Sequence, residues 1–289
     1  MKEIRKVLPS ARYIYYSDNA HCPYGEKSEA YIRDRARVIT RLLLEKGAEV
    51  IVVACNTATG AAIATLREEF SVPFVGMEPA VKPAALGTRS GVIGVLATAG
   101  TLKASKYLKT KGIYQGDVRI EEHVGEGFVQ LVERLELDGP EVERTVRASL
   151  QPLLDAGADT IVLGCTHYPF LRPVIERIAG PDVQVIDPAP AVARQVLKVL
   201  GSCRAEDHPD NGGGSLELLS SGDPATLRAL AAAIGYAAGK QRPQRSLRTF
   251  AFLFGKKSKI IVIFVIYDYP GTNQRFAGAS GDAPRVPRH

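Results

Sequence analysis

The sequence predicts an α/β fold of two similar domains, each built on a mostly parallel sheet flanked by helices. Apolar runs alternate with amphipathic stretches along most of the chain, and almost wholly apolar strands are typical of parallel sheets covered by helices on both faces. One strand–helix–strand unit occurs twice, which predicts a pseudo-two-fold relation with an active site in the cleft between the domains. The length of 289 residues allows two domains with separate cores.

The predicted strands and helices follow one another along the chain. The long helix over 28–46 has Ile32, Ala36, Ile39 and Leu43 on one face, and Gly47 closes it. The predicted strands are the short apolar runs at 13–16, 50–54, 72–76, 91–96, 118–121, 160–164, 183–186 and 216–219. The predicted helices cover 28–46, 61–70, 98–111, 140–156, 171–179, 191–200 and 224–238.

The repeat is most specific around two cysteines. "KGAEVIVVACNTAT" (46–59) aligns with "AGADTIVLGCTHYP" (156–169), so that Gly47 matches Gly157 and Cys55 matches Cys165. A helix, a strand and an acid-Pro-Ala turn follow in each copy, as "EPAV" (78–81) and "DPAPAV" (187–192). Apolar strands often agree by chance, but agreement in glycine, cysteine and the acidic turn is much rarer. We therefore interpret the two cysteines as equivalent.

Both cysteines are predicted at the carboxyl end of a strand and the start of a helix, where open α/β sheets bind ligands. A helix N-terminus lowers the pKa of a thiol from about 8.5 and offers N–H groups to a carboxylate. Two thiols facing one cleft could invert a stereocentre, because one removes a proton beside a carboxylate and the other returns a proton to the opposite face. The polar residues that follow the cysteines could donate hydrogen bonds to the developing charge; they are Asn56, Thr57, Thr166 and His167.

Each of these residues also has a simpler interpretation. A single buried cysteine is most often a small hydrophobic residue. His167 could be a core or loop histidine, and the polar residues after each cysteine could serve only as helix N-caps. The matched pair favours chemistry over packing. Cys22 and Cys203 have no partner in the repeat, and we interpret both as structural or incidental.

Composition and charge exclude several classes of function. The whole chain has a formal charge of +6, but residues 239–289 hold 10 Lys/Arg and 2 Asp/Glu, so the rest of the chain has a formal charge of −2. Because the positive charge belongs to the tail and not to the folded part, we expect no nucleic-acid partner. The cysteines and histidines show no metal-ligand spacing, and no lysine stands where a pyridoxal-phosphate Schiff base would form, so we expect neither a metal nor a cofactor. The apolar run 260–267 is far shorter than the roughly 20 residues of a membrane span. We expect a cytoplasmic enzyme.

Four motifs carry a resemblance to a known family: "PYGEKS" (23–28), "ACNTAT" (54–59), "LGCTHYPFLRPVI" (163–175) and the acid-Pro-Ala turn. They resemble glutamate racemase, within the aspartate/glutamate racemase superfamily, and the likeness runs from Lys2 to about Ala238. The resemblance implies a cofactor-independent enzyme that interconverts L- and D-glutamate and supplies D-glutamate for peptidoglycan.

The resemblance also implies roles for individual residues. Cys55 and Cys165 would be the two acid–base catalysts, the first deprotonating D-glutamate and the second L-glutamate. His167 would be a further catalytic group and would lie, with Glu133, near the second cysteine. The implied substrate contacts are Tyr24, Gly25, Asn56, Thr57, Thr166, His167 and Glu133.

The implied architecture has the second domain inserted into the first. Residues 1–97 and 189–240 would form the first α/β domain, residues 98–188 the second, and residues 241–289 an atypical tail. The implied partner is the small-molecule substrate glutamate, and a homodimer is left open.

Two features depart from the family pattern. The family normally begins with a strand that ends in a D-S-G-x-G-G loop, whereas this sequence starts at "MKEI". We therefore expect one sheet to lack a central strand and the chain to be weakly active or inactive, with a missed start site as the preferred explanation. The second departure is the tail, whose apolar octet could be a loosely attached strand, a disordered extension or a translation artefact, and would be aggregation-prone if exposed.

Two other functions stay open. A racemase for aspartate or another small amino acid would share the thiol pair, although the Thr-His after Cys165 and the "PYG" loop favour glutamate. A truncated, catalytically impaired homologue could act only as a binding protein. Retention of both cysteines and their polar neighbours disfavours that alternative.

Overall fold

Two parallel sheets organise the chain. The computed structural model describes residues 1–21, 24–25, 27–201, 214–233 and 260–265. The first sheet has the order β3-β2-β9-β1-β8 and the second the order β5-β4-β6-β7, and every strand pair is parallel. The strands are β1 (Arg12–Ser17), β2 (Val50–Val53), β3 (Phe74–Gly76), β4 (Val92–Ala97), β5 (Arg119–Val124), β6 (Thr160–Gly164), β7 (Gln184–Ile186), β8 (Leu216–Ser220) and β9 (Ile260–Val265).

Helices connect the strands and cover both faces of the sheets. Their ends follow local signals: the Ser28 side chain accepts from the Tyr31 amide at the start of α2, and Pro140 begins α8. The helices are α1 (Lys2–Val7), α2 (Glu29–Glu45), α3 (Asn56–Glu69), α4 (Val81–Gly87), α5 (Ala99–Lys103), α6 (Ser105–Tyr114), α7 (Phe128–Glu133), α8 (Pro140–Asp155), α9 (Arg172–Ala179), α10 (Ala189–Val199) and α11 (Pro224–Ala233), with 3₁₀ turns at Asn19–His21 and Tyr168–Leu171.

The core lies on both faces of each sheet. One face of the first sheet packs on α2 and α3 through Ile14, Ile51, Leu43 and Leu66. Its other face packs on α1 and α10, and the members there include Ile4, Tyr13, Val50, Val52 and Val196. The second sheet is covered in the same way by α8 and α9 on one side and by α4 and α6 on the other. Burial on both faces explains why the strand sequences are apolar without alternation.

The predicted α/β fold class is confirmed, and the differences are local. Helix α3 begins at Asn56 rather than at residue 61, because the Cys55 side chain caps it. The helix expected over 98–111 is divided at Ala104, whose backbone is extended. Two short helices, α4 and α7, were not predicted, since six or seven residues show too little periodicity to detect.

The expected domain boundaries need two corrections. Strand β4 lies between β5 and β6 in the second sheet, so the boundary expected after residue 97 is wrong for this strand, which pairs with the following domain. The sequence leaves the tail open as a loosely attached strand, a disordered extension or a translation artefact, and in the structure it contributes β9 to the middle of the first sheet. The central position that we expected to be empty is therefore occupied. Other residues of 241–289, together with Cys22 and Cys203, lie outside the described part of the chain.

Candidate active site

Both cysteines stand at the carboxyl edges of their sheets. Cys55 follows β2 and is the N-cap of α3, where its Sγ accepts from the Ala58 amide at 3.4 Å. Cys165 directly follows β6 and precedes the 3₁₀ turn at Tyr168–Leu171. Neither forms a disulfide, and both are partly exposed. The two positions thus agree in following a strand and differ in what comes next, which is a long helix after Cys55 and a 3₁₀ turn after Cys165.

A buried hydrogen bond joins the two cysteine-bearing edges. The Asn56 side-chain Nδ2 donates to the Gly164 carbonyl oxygen at 2.8 Å. Asn56 is next to Cys55 in the chain, and Gly164 is next to Cys165, with neighbouring Cα atoms about 3.8 Å apart. The bond therefore brings the chain segments that carry Cys55 and Cys165 close together.

Two further contacts hold the domains together beside this bond. The hydroxyl oxygens of Thr57 and Thr101 lie 3.5 Å apart and are buried. Gly25 packs against Gly100 so closely that a Cβ on Gly100 would lie 2.8 Å from the Gly25 Cα. The loop containing Tyr24 and Gly25 therefore lines the junction of the domains.

A histidine and a carboxylate support the second cysteine. The Sγ of Cys165 lies 3.7 Å from Nδ1 of His167, and Nε2 of His167 lies 2.7 Å from Oε1 of Glu133. The His167 side chain is 1% exposed and that of Glu133 is 6% exposed. When the Glu133 carboxylate accepts from Nε2–H, Nδ1 of the neutral imidazole carries no proton and can accept one from the thiol. This arrangement can pass a proton between sulfur and imidazole.

Aromatic packing places Glu133 within this network. The rings of Phe128 and Tyr168 meet edge to face, with centroids 4.9 Å apart, and the Tyr168 hydroxyl donates to the Gly125 carbonyl at 3.2 Å. These contacts fix α7, which ends at Glu133, against the turn that follows His167.

Comparisons with known proteins give the family of the chain. Residues 2–196 match the family model described as Asp/Glu/Hydantoin racemase. The chain belongs to this racemase family. It is 43% identical to the glutamate racemase of Stutzerimonas stutzeri over 90% of this chain and 90% of the relative. It is 46% identical to that of Herpetosiphon aurantiacus over 78% of this chain and 88% of the relative.

Solved structures of racemases are also similar. Glutamate racemase isoform RacE1 from Bacillus anthracis superimposes with a TM-score of 0.72 and 31% identity, covering 82% of this chain and 89% of that one. The Escherichia coli glutamate racemase in complex with L-glutamate and the activator UDP-MurNAc-ala gives a TM-score of 0.69 and 31% identity, covering 90% and 91%.

In this racemase the structure brings most of the predicted site residues to one place. Asn56 and Thr57 form the first turn of α3 after Cys55, and Thr166 and His167 follow Cys165. Glu133 reaches His167 from α7, and Gly25 lies at the domain junction beside Gly100. The Tyr24 side chain is buried, and its hydroxyl belongs to a polar cluster around Asp18.

That cluster contains residues that the sequence analysis missed. Asp18 directly follows β1 and is fully buried. Its carboxylate accepts from the Tyr24 hydroxyl at 2.5 Å and from Nη2 and Nε of Arg35 at 2.7 and 3.1 Å. Burial alone would lower the pKa of Arg35, but its bonds to Asp18 raise it. Burial raises the pKa of Tyr16, and the charge of Asp18 raises it further.

One sequence signal could have found Asp18. It is an acidic residue at the end of a predicted strand, which is the position that singled out Cys55 and Cys165. Arg35 carried no such signal, since the helix that contains it has several arginines. Its role depends on a contact across 17 positions of sequence.

Asp159 is a second strongly bonded carboxylate, but it lies away from the thiols. It borders an open depression of about 500 Å³ at the amino end of β6. It accepts from the Thr88 hydroxyl at 2.6 Å and from the amides of Arg89 and Ser90 at 2.6 and 2.7 Å. Burial would raise the pKa of Asp159, but these bonds lower it to about 2. The carboxylate is used to hold the turn before β4, so we assign it no part in the chemistry.

Neither a metal cluster nor a membrane span is found in the described ranges. No group of three or more His, Cys, Asp or Glu side chains there is arranged to hold a metal ion. No helix of the described chain is long and apolar enough to cross a bilayer.

Proposed function

We propose that the chain is a glutamate racemase that interconverts the L- and D-enantiomers by two-base proton transfer between Cys55 and Cys165. Family membership and relatives more than 40% identical over most of the chain support the substrate. The observation that carries the mechanism is the 2.8 Å bond from Asn56 to Gly164, because it ties together the two segments that bear the thiols. The resemblance to the same enzymes supports a role in supplying D-glutamate for peptidoglycan.

The proposed reaction needs one thiolate and one thiol. Starting from D-glutamate, the thiolate of Cys55 takes the α-proton, so that an S–H bond forms and the C–H electron pair stays on the α-carbon beside the carboxylate. The thiol of Cys165 then gives its proton to the opposite face, which forms the new C–H bond. Each turnover exchanges the protonation states of the two sulfurs, and protons return through solvent before the next turnover in the same direction.

His167 and Glu133 would assist the step at Cys165. A protonated His167 stabilises the thiolate, and the Glu133 carboxylate keeps the imidazole oriented with Nδ1 towards the sulfur. Cys55 has the start of helix α3 as its support, where the Ala58 amide points at the sulfur. The two thiols are thus activated by different means.

Asn56 would also position the substrate. Its Nδ2 is used by Gly164, whereas its Oδ1 is buried and has no hydrogen-bond partner among the described residues. A buried amide oxygen without a partner is costly, and the ammonium group of an amino acid would satisfy it. Thr57 and Thr166 closely follow the two cysteines in the chain, and their hydroxyls would contact the carboxylates of the substrate.

Loss of circular dichroism from each pure enantiomer tests the proposal. We expect L- and D-glutamate to racemise without added cofactor or metal, and aspartate to react far more slowly. Preference for aspartate would favour the rival racemase. A chain that binds glutamate in calorimetry but incorporates no solvent deuterium at the α-carbon would be a binding protein, and the proposed function would be wrong.

A further inference from the structure

Strand β9 lies in the middle of the first sheet although it comes from the end of the chain. Arg12 to Ser17 of β1 pair in parallel with Ile260 to Val265, and Val50 to Val53 of β2 pair with Ile261 to Phe264. In the described chain β1 and β2 do not pair with each other. All connection between the two halves of the first sheet therefore runs through β9.

The sequence of β9 suits this central position. Its six residues are Ile, Ile, Val, Ile, Phe and Val, with neither glycine nor proline. An uninterrupted run of β-branched and aromatic residues is typical of a strand that is covered on both faces. A central strand also needs every backbone N–H, and none of the six is a proline.

Without β9 the first sheet would have a gap one strand wide. Adjacent strands lie about 4.8 Å apart, so β1 and β2, on either side of β9, are about 10 Å from each other. Their facing edges would leave backbone N–H and C=O groups unpaired in the interior, where such groups are costly. The flanking residues are fully or almost fully buried: Tyr13 and Ile14 of β1, and Ile51 and Val52 of β2.

The gap would open directly beneath the proposed site. β2 leads to Cys55, and β1 leads to Asp18, which holds Arg35 and Tyr24. The pairing of β9 with both strands fixes the distance between these two ends of the sheet. Without β9, the facing edges of β1 and β2 could move together, move apart or slide along each other. Each movement would shift Cys55 relative to Gly164, which Asn56 contacts across the cleft.

We propose that the space between β1 and β2 is a strand-acceptor site, and that residues 260–265 of the same chain occupy it as a required part of the racemase domain. Main-chain hydrogen bonds supply the binding, as in recognition by strand addition. The resemblance implies a central strand at the beginning of the chain, whereas here a C-terminal segment fills a central position in parallel orientation. The tail is thus a folding element rather than an appendage.

Hydrogen exchange of the full-length chain tests the proposal without reference to racemase activity. We expect the amides of 261–265 to exchange at least about 100-fold more slowly than in an unstructured peptide, at rates comparable to those of β2. Exchange of these amides within about tenfold of the unstructured rate would overturn the proposal. Because this readout needs no substrate, it stays informative even if the proposed reaction is wrong.

A pair of proline variants tests the requirement. Val262→Pro removes a central amide and should lower the melting temperature, remove protection from the amides of β1 and β2, and reduce racemisation at least tenfold. Ala279→Pro, also in the tail but outside β9, should change none of these. If Val262→Pro keeps wild-type melting, exchange and racemisation, β9 is not required. Sedimentation combined with exchange separates the sources of the strand. A monomer with protected β9 amides supports the same chain, whereas loss of that protection when a dimer is diluted to monomers would show that a second copy supplies the strand and would contradict that part.

Discussion

Replacing Glu133 by glutamine tests the support of the second thiol most closely. Glu133 meets His167 at 2.7 Å in a setting where the two side chains are only 6% and 1% exposed. Glutamine keeps the size of the side chain but removes its charge, and its amide can present either oxygen or nitrogen to Nε2. The imidazole is then held less firmly in the orientation that places Nδ1 against Cys165.

The size of the effect follows from the bond that is weakened. A hydrogen bond to a charged group contributes about 1.5–3 kcal/mol and one between neutral groups about 0.5–1.5 kcal/mol. The difference of about 1–2 kcal/mol corresponds to a loss of roughly 5- to 30-fold in kcat/KM. Because the two enantiomers have equal free energies in water, kcat/KM must fall by the same factor in both directions.

Isotope effects then show which thiol is affected. With α-deuterated L-glutamate the labelled bond is broken by Cys165 in the proposed mechanism, and with α-deuterated D-glutamate by Cys55. Slowing the step at Cys165 should increase the primary isotope effect from L-glutamate and decrease that from D-glutamate. The assay is the circular dichroism time course from each enantiomer, labelled and unlabelled.

A neighbouring variant provides the control. Glu136 is exposed and pairs with Arg134 at 2.8 Å, so Glu136→Gln removes a charge from the same loop without touching His167. It should leave kcat/KM unchanged. The reasoning is refuted if Glu133→Gln retains kcat/KM within about twofold, or if the isotope effects move in the opposite sense.

Three further predictions concern stability. Asn56→Ala leaves the buried Gly164 carbonyl without its partner, so urea titration should show a free energy of unfolding lower by about 1–3 kcal/mol. The control is Thr88→Ala, at the opposite edge of the second sheet, which should retain activity when Asn56→Ala does not. Asp18→Asn removes the charge opposite Arg35, so unfolding should become easier by about 3 kcal/mol, and a change below about 0.5 kcal/mol would contradict the structural role of this pair. The pKa of Asp159 is about 2 in the folded protein and about 3.9 in unfolded chains, so its contribution is full above pH 4 and is lost as the pH falls towards 2. Because this carboxylate is only partly buried, we expect only about 1 kcal/mol from it. The stability difference between the wild type and Asp159→Asn should shrink over that range and not above it.

Local sequence signals were sufficient to predict the repeated unit. Gly47 and Gly157 both have positive φ angles, 83° and 86°, so the requirement for glycine before each strand is a backbone requirement. The apolar runs at β2 and β6 and the cysteines after them are also local features. The pairing of Cys55 with Cys165 across one cleft is a prediction from the repeat together with the rule that ligands bind at carboxyl edges.

The remaining features depend on contacts between distant parts of the chain. Glu133 reaches His167 across 34 positions, and Arg35 reaches Asp18 across 17, so no periodic pattern indicates either pair. The apolar octet of the tail has the composition of a strand or of an aggregation-prone segment. Which of these it becomes depends on whether β1 and β2 leave a space for it, and strand order cannot be read from a single segment.

Exchange of the α-proton in heavy water by single-cysteine variants tests the central claim most directly. With Cys165→Ala, Cys55 can still take the proton of D-glutamate and return a deuteron to the same face, so D-glutamate should acquire deuterium without becoming L-glutamate. With Cys55→Ala, L-glutamate should acquire deuterium without becoming D-glutamate. Proton NMR of each enantiomer measures both outcomes, and wild-type racemisation by either variant, or deuterium entering the other enantiomer, would contradict the two-thiol account.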